Sequence, residues 1–570
     1  MQKIFPFIEW LSTYRKEYLK GDLFAGLTVG VMLIPQGMAY AMIAGLPPVY
    51  GLYASVVPQI IYAIFGTSRQ LSVAPVAMDS LLVAAGVSVL ASGGTEAYIS
   101  YAILLAFFVG AFQLLLGVFR LGFITNLLSK PVITGFTSAA ALIIGTSQLN
   151  HVLGVDLSKG TQVFETLLEI SSKWSEIHWL TSLVGILGVA FIIFVRKINK
   201  SIPGSLFAVV LGIVAVYMFQ LQENGVSIVK EIPDGMPHFS IPNFSLDKWR
   251  ELLPLAFTIS IVAFMESFSV SKALETKQKN HIVRPNQELL GLGMSNLLGS
   301  FFQSYPVTGG FSRSAVNSES GAVTPLASVF SALLVGITLI FLTPLFYYLP
   351  HAILASIILV AVGSLINIRY FHRLWRESKI ELALMLSTFF ATLFFSMVLG
   401  IAIGVLLSIL ILLYKSAYPH IAKLGRVKSH YEFRNIKRFD NLEVWDDLLI
   451  LRVDAPLTFV NIQYFKDFVT KSITEANHRV KTIVLDAGPI NYIDATASEG
   501  LKDLMLNLQE KDIDILLSEV VGPVRDALYK NKLMEFFGED RIFLNLNGAV
   551  ESVVSNGKKK YTEYAVQHDD

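Results

Sequence analysis

The sequence contains no cysteine, which excludes disulfide bonds, thiolate metal sites and cysteine nucleophiles. Charged residues are also scarce: they make up 16% of the 570 residues, whereas soluble domains carry about 25%. The net charge of +1 gives no overall attraction to nucleic acid or to acidic partners. No residue spacing indicates a zinc site, a GxxxxGK[ST] phosphate loop or a GxSxG hydrolase elbow, so we expect no cofactor and no metal.

Apolar residues, in contrast, are abundant and unevenly distributed. They make up 53% of the chain and are concentrated between residues 24 and 418. Ten stretches in this region are long enough to cross a bilayer core of about 30 Å, and four more are weaker or interrupted. The clear stretches are 24–44, 48–65, 101–119, 180–196, 203–221, 254–272, 323–345, 351–367, 380–398 and 400–415, and the weaker ones are 76–90, 122–150, 287–303 and 310–321.

Lys and Arg in the short loops predict the orientation of these spans. Basic residues such as Arg15, Arg196 and Arg373 fall in loops that share one side of the membrane if the count of fourteen is right. The opposite loops, 151–178 and 222–250, are more acidic or mixed. The sequence therefore predicts a multi-pass protein with both termini in the cytoplasm. The basic N-terminus lacks a signal-peptide pattern, so we expect it to be retained.

Two of the spans are interrupted at related positions. In PVTGGFSRSAVN (306–317), Gly310 breaks the chain before a short helix whose first turn contains Arg313. A helix start offers free N–H groups and a partial positive charge, which together with an arginine favour an anion. Pro75 makes a similar break 235 residues earlier, before the apolar stretch 76–90. Paired breaks in two halves of a membrane protein point to a transporter's midplane binding site.

The last part of the chain alternates strands and helices. This pattern predicts a small α/β domain, with strands at 448–453, 482–486 and 513–517 and helices at 461–476, 497–509 and 524–529. We therefore divide the chain into four parts. They are a cytoplasmic N-terminal segment (1–22), a transmembrane transporter domain (23–420), a cytoplasmic α/β domain (421–555) and a flexible tail (556–570).

Several stretches carry a resemblance to a known family. In the membrane part they are 34–40 with 45–53 (IPQGMAY and GLPPVYGLY), 66–69 with Ser72 and Pro75, 129–137 (SKPVITGFT), and Gly310 to Arg313. Together they resemble the SulP sulfate permeases, also called the solute-carrier sulfate/anion transporters. The tail resembles a STAS domain through Leu485-Asp486-Ala487 and Tyr492-Ile493-Asp494-Ala495-Thr496.

The resemblance implies an α-helical membrane fold of fourteen segments in two inverted seven-segment repeats, divided into core and gate domains. It also implies a homodimer, a cytoplasmic STAS domain and an anionic substrate between the starts of segments 3 and 10, facing segment 1. The positions that match the family's substrate site are Gln36, Tyr40, Val76, Ala77, Gly310, Phe311, Ser312 and Arg313.

Each of these residues also has a purely structural interpretation. Ser312 and nearby N–H groups would bind the anion, while Arg313 either supplies positive field or neutralises an internal carboxylate. Gln36 and Tyr40 either line the site or hold neighbouring spans together. At Val76 and Ala77 the backbone N–H groups would matter rather than the side chains.

Two carboxylates in the spans are candidates for cation coupling. Glu266 matches a position where proton-coupled relatives carry a carboxylate, and a carboxylate in a low dielectric can exchange protons near neutral pH. The alternative is a fixed partner of Arg313. Asp79 lies one turn into segment 3 and would bind a cation, relay a proton or cap polar groups locally.

Together with these residues, the resemblance implies proton-coupled sulfate symport across the plasma membrane by an elevator-type movement. Sodium-coupled bicarbonate transport, proton-coupled dicarboxylate transport and passive anion exchange or conduction are the alternatives. An enzyme would need a nucleophile–base or metal constellation at membrane depth, which is not evident. In the STAS domain Ala495 replaces the phosphorylatable serine of anti-sigma antagonists and Ala497 replaces a glycine, which argues against a phospho-switch or sensor.

Overall fold

The structure is a computed structural model that describes residues 5–90, 94–123, 129–157, 163–198, 203–231, 233–244, 249–275, 282–363, 365–395, 397–428, 430–476, 479–555 and 562–564. The chain forms two compact units, Met1–Ser408 and Ile409–Asp570. Most of the predicted tail, 556–570, lies outside the described residues. The domain boundaries predicted from the sequence stay predictions.

The described part of the first unit is almost entirely helical, and α19 extends past its end. The helices are α1 (Phe7–Ser12), α2 (Lys16–Ile43), α3 (Pro48–Tyr53), α4 (Val57–Phe65), α5 (Ala77–Leu90), α6 (Thr95–Val118), α7 (Lys130–Ser147), α8 (Leu149–Leu153), α9 (Val163–Ser172), α10 (Trp179–Ile198), α11 (Gly204–Phe219), α12 (Leu252–Glu275), α13 (Pro285–Ser300), α14 (Phe311–Glu319), α15 (Leu326–Ile337), α16 (His351–Gly363), α17 (Ile368–Glu377), α18 (Lys379–Phe394) and α19 (Met397–Ala417). Two short strands, β1 (Val73–Ala74) and β2 (Thr308–Gly309), interrupt them.

The apolar stretches found in the sequence coincide with these helices. Among the described residues, nine helical stretches are long and apolar enough to cross a membrane, and α5 and α11 are shorter apolar helices. The nine are Lys16–Ile43, Pro48–Phe65, Thr95–Val118, Lys130–Leu153, Trp179–Ile198, Trp249–Glu275, Leu326–Phe346, His351–Glu377 and Leu399–Ala417. The chain is therefore a helical multi-pass membrane protein, and the count of fourteen spans stays a prediction.

The two halves of the first unit pack by the same pattern. Helix α6 packs on α13 as α15 packs on α4, and α7 packs on α18 as α16 packs on α10. In this pattern α2, α4, α5, α6, α7 and α10 of the first half correspond to α12, α13, α14, α15, α16 and α18 of the second half. The same correspondence relates the contact of α2 with α15 to that of α12 with α6, and the contact of α5 with α12 to that of α14 with α2. Small residues allow the close approach: a Cβ on Gly110 would lie 2.4 Å from the backbone nitrogen of Leu297, and one on Gly135 would lie 2.3 Å from the carbonyl oxygen of Met385.

The second unit is built on a mixed sheet with helices against it. Its strands are β3 (Ile421–Val427), β4 (Phe433–Asn435), β5 (Leu442–Val444), β6 (Leu448–Val453), β7 (Thr482–Asp486), β8 (Asp514–Ser518), β9 (Ile542–Phe543) and β10 (Thr562–Tyr564). Its helices are α20 (Ile462–Glu475), α21 (Ala495–Gln509), α22 (Gly522–Lys530), α23 (Met534–Phe537) and α24 (Leu546–Ser555).

The sheet order is β10-β5-β3-β6-β7-β8-β9, with β4 paired to β3, and β6 to β9 run parallel. All five residues of β7 are buried, as expected for a central parallel strand covered on both faces. The three predicted strands and three predicted helices are present. The strands β3, β4, β5, β9 and β10 and the helices α23 and α24 were not predicted.

Candidate functional site

Two broken helices meet at the centre of the first unit. Strands β1 and β2 pair antiparallel, with Val73 opposite Gly309 and Ala74 opposite Thr308. Helix α5 begins three residues after β1, and α14 begins two residues after β2. The pairing therefore brings together the two helix starts that the sequence placed 235 residues apart. Each helix start has backbone N–H groups without an intrahelical partner and a partial positive charge.

Hydrogen bonds to Ser72 attach the start of α14 to the segment just before β1. Gly310 N–H donates to the Ser72 carbonyl oxygen at 3.1 Å. Ser314 Oγ accepts from Ser72 N–H at 2.9 Å and donates to the Gly310 carbonyl oxygen at 2.7 Å. Gly310 is the N-cap residue of α14 and has no side chain that could accept a hydrogen bond from the first N–H groups of the helix. The first N–H groups of α14 are thus fixed in position and remain available to an anion.

Arg313 is buried at this junction, with 2% of its surface exposed. Its Nη2 donates to the Ala74 carbonyl oxygen at 3.3 Å, while its Nε is buried without a hydrogen-bond partner. Phe311 and Ser312, which precede it in the first turn of α14, are exposed. Arg313 is therefore buried next to an exposed helix start, and its Nε–H has no acceptor among the described residues.

A second set of hydrogen bonds attaches α12 to β2. Ser267 Oγ contacts Thr308 Oγ1 at 2.6 Å and accepts from Gly309 N–H at 2.7 Å. Thr308 Oγ1 donates to the Ala263 carbonyl oxygen at 2.7 Å. Glu266 precedes Ser267, so these bonds fix the part of α12 that carries the carboxylate. Sequence reasoning missed Ser267 and Thr308, although both are polar residues in or beside an apolar stretch.

The structure brings most of the predicted site residues together. Tyr40, on α2, is buried and interacts electrostatically with Glu266 and Arg313. Gln36 lies one turn earlier on α2 and is half-buried. Val76 and Ala77 stand at the start of α5. Phe311, with 63% of its surface exposed, and Ser312 are the exposed members of the set at the start of α14.

Unpartnered polar atoms concentrate around this junction. Among the described residues, the buried atoms without a hydrogen bond include Gln36 Oε1, both carboxylate oxygens of Asp79, Glu266 Oε2 and Arg313 Nε. Buried polar groups in folded proteins are nearly always paired, and each exception needs an explanation. An anion, a proton or a cation would supply the missing partners.

Other buried carboxylates in the same unit are fully paired. Glu288 accepts from Tyr62 Oη at 2.5 Å, from Thr67 N–H at 2.7 Å, from Ser68 N–H at 3.1 Å and from Thr67 Oγ1. Asp22 accepts from Val323 N–H at 2.7 Å and from Thr324 N–H at 3.0 Å and Oγ1 at 2.6 Å. These two carboxylates fasten loops to helices, whereas Asp79 and Glu266 have unused oxygens. The sequence analysis named Asp79 and Glu266 as candidates but did not predict the hydrogen bonds of Asp22 and Glu288.

The residues matched to the STAS switch lie at the start of α21. Asp494 caps this helix, with its carboxylate accepting from Ala497 N–H at 2.7 Å. Ala495 and Thr496 are exposed in the first turn. Asp494 is therefore an ordinary N-cap residue. The exposed hydroxyl in the first turn belongs to Thr496 rather than to a serine.

Paired helix starts, a buried arginine and a separate α/β unit together define a membrane anion transporter with a C-terminal STAS domain. The model of the Sulfate permease family matches residues 19–388, and that of the STAS domain matches residues 441–549. The chain belongs to the sulfate permease family.

Characterised relatives are similar over nearly the whole length. "Sulfate transporter 4.1, chloroplastic" from Arabidopsis thaliana is 38% identical over 566 residues, which cover 96% of this chain and 82% of that protein. "High affinity sulfate transporter 2" from Stylosanthes hamata is 33% identical over 574 residues, covering 96% and 86%. These relatives are transporters, not enzymes.

Solved structures share the architecture. The murine Slc26a9 anion transporter in the inward-facing state superposes with a TM-score of 0.89 at 25% identity, covering 97% of this chain and 94% of that one. The transmembrane domain of the cyanobacterial bicarbonate transporter BicA gives 0.61 at 23% identity, covering 70% and 98%. At that identity the BicA likeness concerns the fold alone.

Proposed function

We propose that this protein is a proton-coupled sulfate symporter and that the anion binds between the starts of α5 and α14. The single observation that carries the proposal is the unused oxygen of Glu266 beside a buried arginine. Glu266 Oε2 accepts no hydrogen bond and Arg313 Nε donates none within the described residues. These two atoms take part in no fixed ion pair, which leaves Glu266 Oε2 available to gain and lose a proton.

The charges give the reason for coupling. Sulfate carries two negative charges, and an ionised Glu266 beside it would repel it. Protonation removes that repulsion, so proton and sulfate each increase the affinity for the other by the same factor. Moving one charge against the membrane potential costs about 2.3 kcal/mol per 100 mV. Sulfate uptake into a negative cell therefore requires accompanying cations.

The substrate side of the site uses the helix starts. Ser312 and the first N–H groups of α14 contact the anion, together with those of Val76 and Ala77. Gln36 and Tyr40 line the side that faces α2, and Arg313 supplies positive field from behind Gly310. The names of the plant relatives favour sulfate over bicarbonate or dicarboxylates.

The wider arrangement follows the family resemblance. Transport proceeds by elevator-type movement of a core domain against a gate domain, in a homodimer. The STAS domain and both termini lie in the cytoplasm, and the protein resides in the plasma membrane. The name of one relative says that it is chloroplastic, so localisation in cells is a direct test.

The experiment is uptake by purified protein in proteoliposomes. Labelled sulfate, bicarbonate and fumarate are supplied with and without an inward proton gradient, and with and without a sodium gradient. We expect sulfate accumulation that depends on the proton gradient. Bicarbonate accumulation under a sodium gradient, without sulfate uptake, would replace the proposal by the sodium-coupled alternative.

A further inference from the structure

We propose that Asp79 carries a second coupled proton, so that each sulfate moves with two protons and net charge transfer is zero. The inference rests on the proposed proton symport but concerns a residue that the Glu266 mechanism does not use. Asp79 lies in the first turn of α5, where the anion is expected to bind. Its side chain is fully buried, and neither of its oxygens has a hydrogen-bond partner among the described residues.

An ionised Asp79 would lack the hydrogen-bond donors that stabilise the carboxylates of Asp22 and Glu288. Those two side chains are equally buried, but each accepts several hydrogen bonds from N–H and O–H donors. Burying a charge without such partners is costly, and a carboxylic acid avoids the cost by taking up a proton. The geometry of Asp79 therefore favours its neutral form whenever the site is closed to water.

The groups that face Asp79 do not remove this cost. Helices α2, α6, α7, α12 and α16 pack around α5. The charged group among them that acts on Asp79 is Glu266 of α12, which repels it. Tyr305, in the segment before β2, also interacts with Asp79, but its hydroxyl contacts Ser80 Oγ at 3.2 Å instead. Arg313 acts on Glu266 and Tyr305, and no cation of the described residues acts on Asp79.

A proton fits this environment better than a metal cation. Hard cations take about six oxygen ligands, and the carboxylate supplies two. The nearby hydroxyls of Ser80 and Tyr305 are engaged with each other. Within the described residues, no cluster of three metal-ligating side chains includes Asp79.

Charge neutralisation explains why two protons are needed. Arg313 contributes one positive charge, which two ionised carboxylates outweigh. A divalent anion would then meet a site of its own sign. With both carboxyls protonated the arginine is uncompensated, and sulfate enters a positive site. Asp79 and Glu266 repel each other when both are ionised. Protonation of either carboxyl makes the site less negative and more favourable for sulfate, and protonation of the other then leaves the charge of Arg313 uncompensated.

The test is the sulfate ratio at zero net flux in proteoliposomes of the full-length protein. The membrane potential is first clamped at zero with potassium and valinomycin, and the interior is one pH unit more alkaline. Two protons predict an inside-to-outside sulfate ratio of about 100 that does not change with the potential, whereas one proton predicts about 10. For Asp79→Asn we expect about 10, and a further tenfold change for about 60 mV of applied potential. Asp79→Glu should restore the wild-type value.

The ratio is thermodynamic, so a poorly expressed variant cannot imitate the effect. A wild-type ratio of about 10, or an unchanged ratio in Asp79→Asn, would overturn the second proton and leave symport through Glu266 intact. A wild-type ratio that ignores the pH gradient would instead contradict the proposed function itself. Sodium-driven accumulation that Asp79→Asn abolishes would assign Asp79 to sodium and overturn the inference.

If Asp79→Asn carries no net flux, proton uptake on sulfate binding in weakly buffered detergent decides. At a pH high enough for both carboxyls of the sulfate-free, water-accessible site to be ionised, the wild type should take up two protons per sulfate and the variant one. Equal uptake by both proteins would contradict the inference.

Discussion

Arg313 Nη2 donates a hydrogen bond to the carbonyl oxygen of Ala74 at 3.3 Å, and so joins the helix start of one half to the strand of the other. The guanidinium also lies against Gly310: a Cβ there would lie 2.8 Å from Nη2. The absence of a side chain at Gly310 therefore sets where the buried positive charge sits.

The first prediction concerns this glycine. Gly310→Ala should leave folding intact, because the clash falls on the end of a flexible side chain, but should displace the guanidinium from the Ala74 carbonyl. Misplacement by about 1 Å can cost a hundredfold in a functional site, so we expect the KM for sulfate to rise by about 10-fold or more. Uptake kinetics at fixed protein amount measure it.

Gly363→Ala is the matched control, because a Cβ on Gly363 meets nothing within 4 Å. It should leave the KM for sulfate unchanged. Equal kinetics for Gly310→Ala and wild type would mean that the position of Arg313 does not matter to sulfate.

The breaks at Pro75 and Gly310 were predictable because proline and a glycine pair interrupt helices whatever surrounds them. The pairing of β1 with β2 was not, since each strand has two residues and its partner lies more than 230 residues away. The same holds for the bond between Ser267 and Thr308, which depends on how α12 packs against β2. Local signals located the two chain breaks, and tertiary packing brought them together.

The second prediction concerns Glu288, which fastens α13 to the segment after α4. Glu288→Ala removes the acceptor of buried donors on Tyr62, Thr67 and Ser68. Each buried donor left unpaired costs about 1–3 kcal/mol, so the thermal unfolding temperature in detergent should fall. The exposed Glu319 provides the control, and Glu319→Gln should leave the unfolding temperature unchanged. The zero-flux sulfate ratio of surviving Glu288→Ala protein should equal that of the wild type, and a shifted ratio would assign Glu288 to coupling.

Sequence alone could not show that Glu288 is fully paired and that Glu266 is not. Glu266 lies among apolar residues, whereas Glu288 follows Asn286 and Gln287 at the start of α13. The difference lies in donors brought from distant segments, which no local pattern records. In the second unit β7, with its apolar run Ile483-Val484-Leu485, was readily predicted, whereas β4 and β5 have three residues each and carry charged side chains.

The third prediction concerns Asp486 at the end of β7. Burial raises the pKa of Asp486 above its usual value, although Gly488 N–H donates to the carboxylate at 3.1 Å. The folded state therefore binds the proton more tightly than the unfolded state. The free energy of unfolding of the second unit should therefore fall as the pH rises from about 4 through the raised pKa of Asp486. Asp486→Asn should remove this pH dependence.

Hydrogen exchange of β7 and β8 amides across that pH range provides the measurement. Asp526→Asn, at an exposed position of α22, should keep the wild-type profile. If Asp486→Asn also keeps it, burial of Asp486 does not govern the pH response.

The fourth prediction concerns the division of labour along the chain. All proposed anion contacts precede residue 320, so deletion from residue 430 onward should impair assembly or regulation more than sulfate recognition. Binding of labelled sulfate and the oligomeric state of the truncated protein in detergent test this. A truncated protein that inserts and dimerises normally but binds no sulfate would refute the division.

The central claim is that Glu266 carries a coupled proton, and Glu266→Gln tests it most directly. Glutamine mimics the protonated side chain, so sulfate binding and sulfate exchange should survive. The zero-flux sulfate ratio, measured with the potential clamped at zero and a one-unit pH gradient, should fall about tenfold below the wild-type value. An unchanged ratio in Glu266→Gln vesicles would contradict the claim.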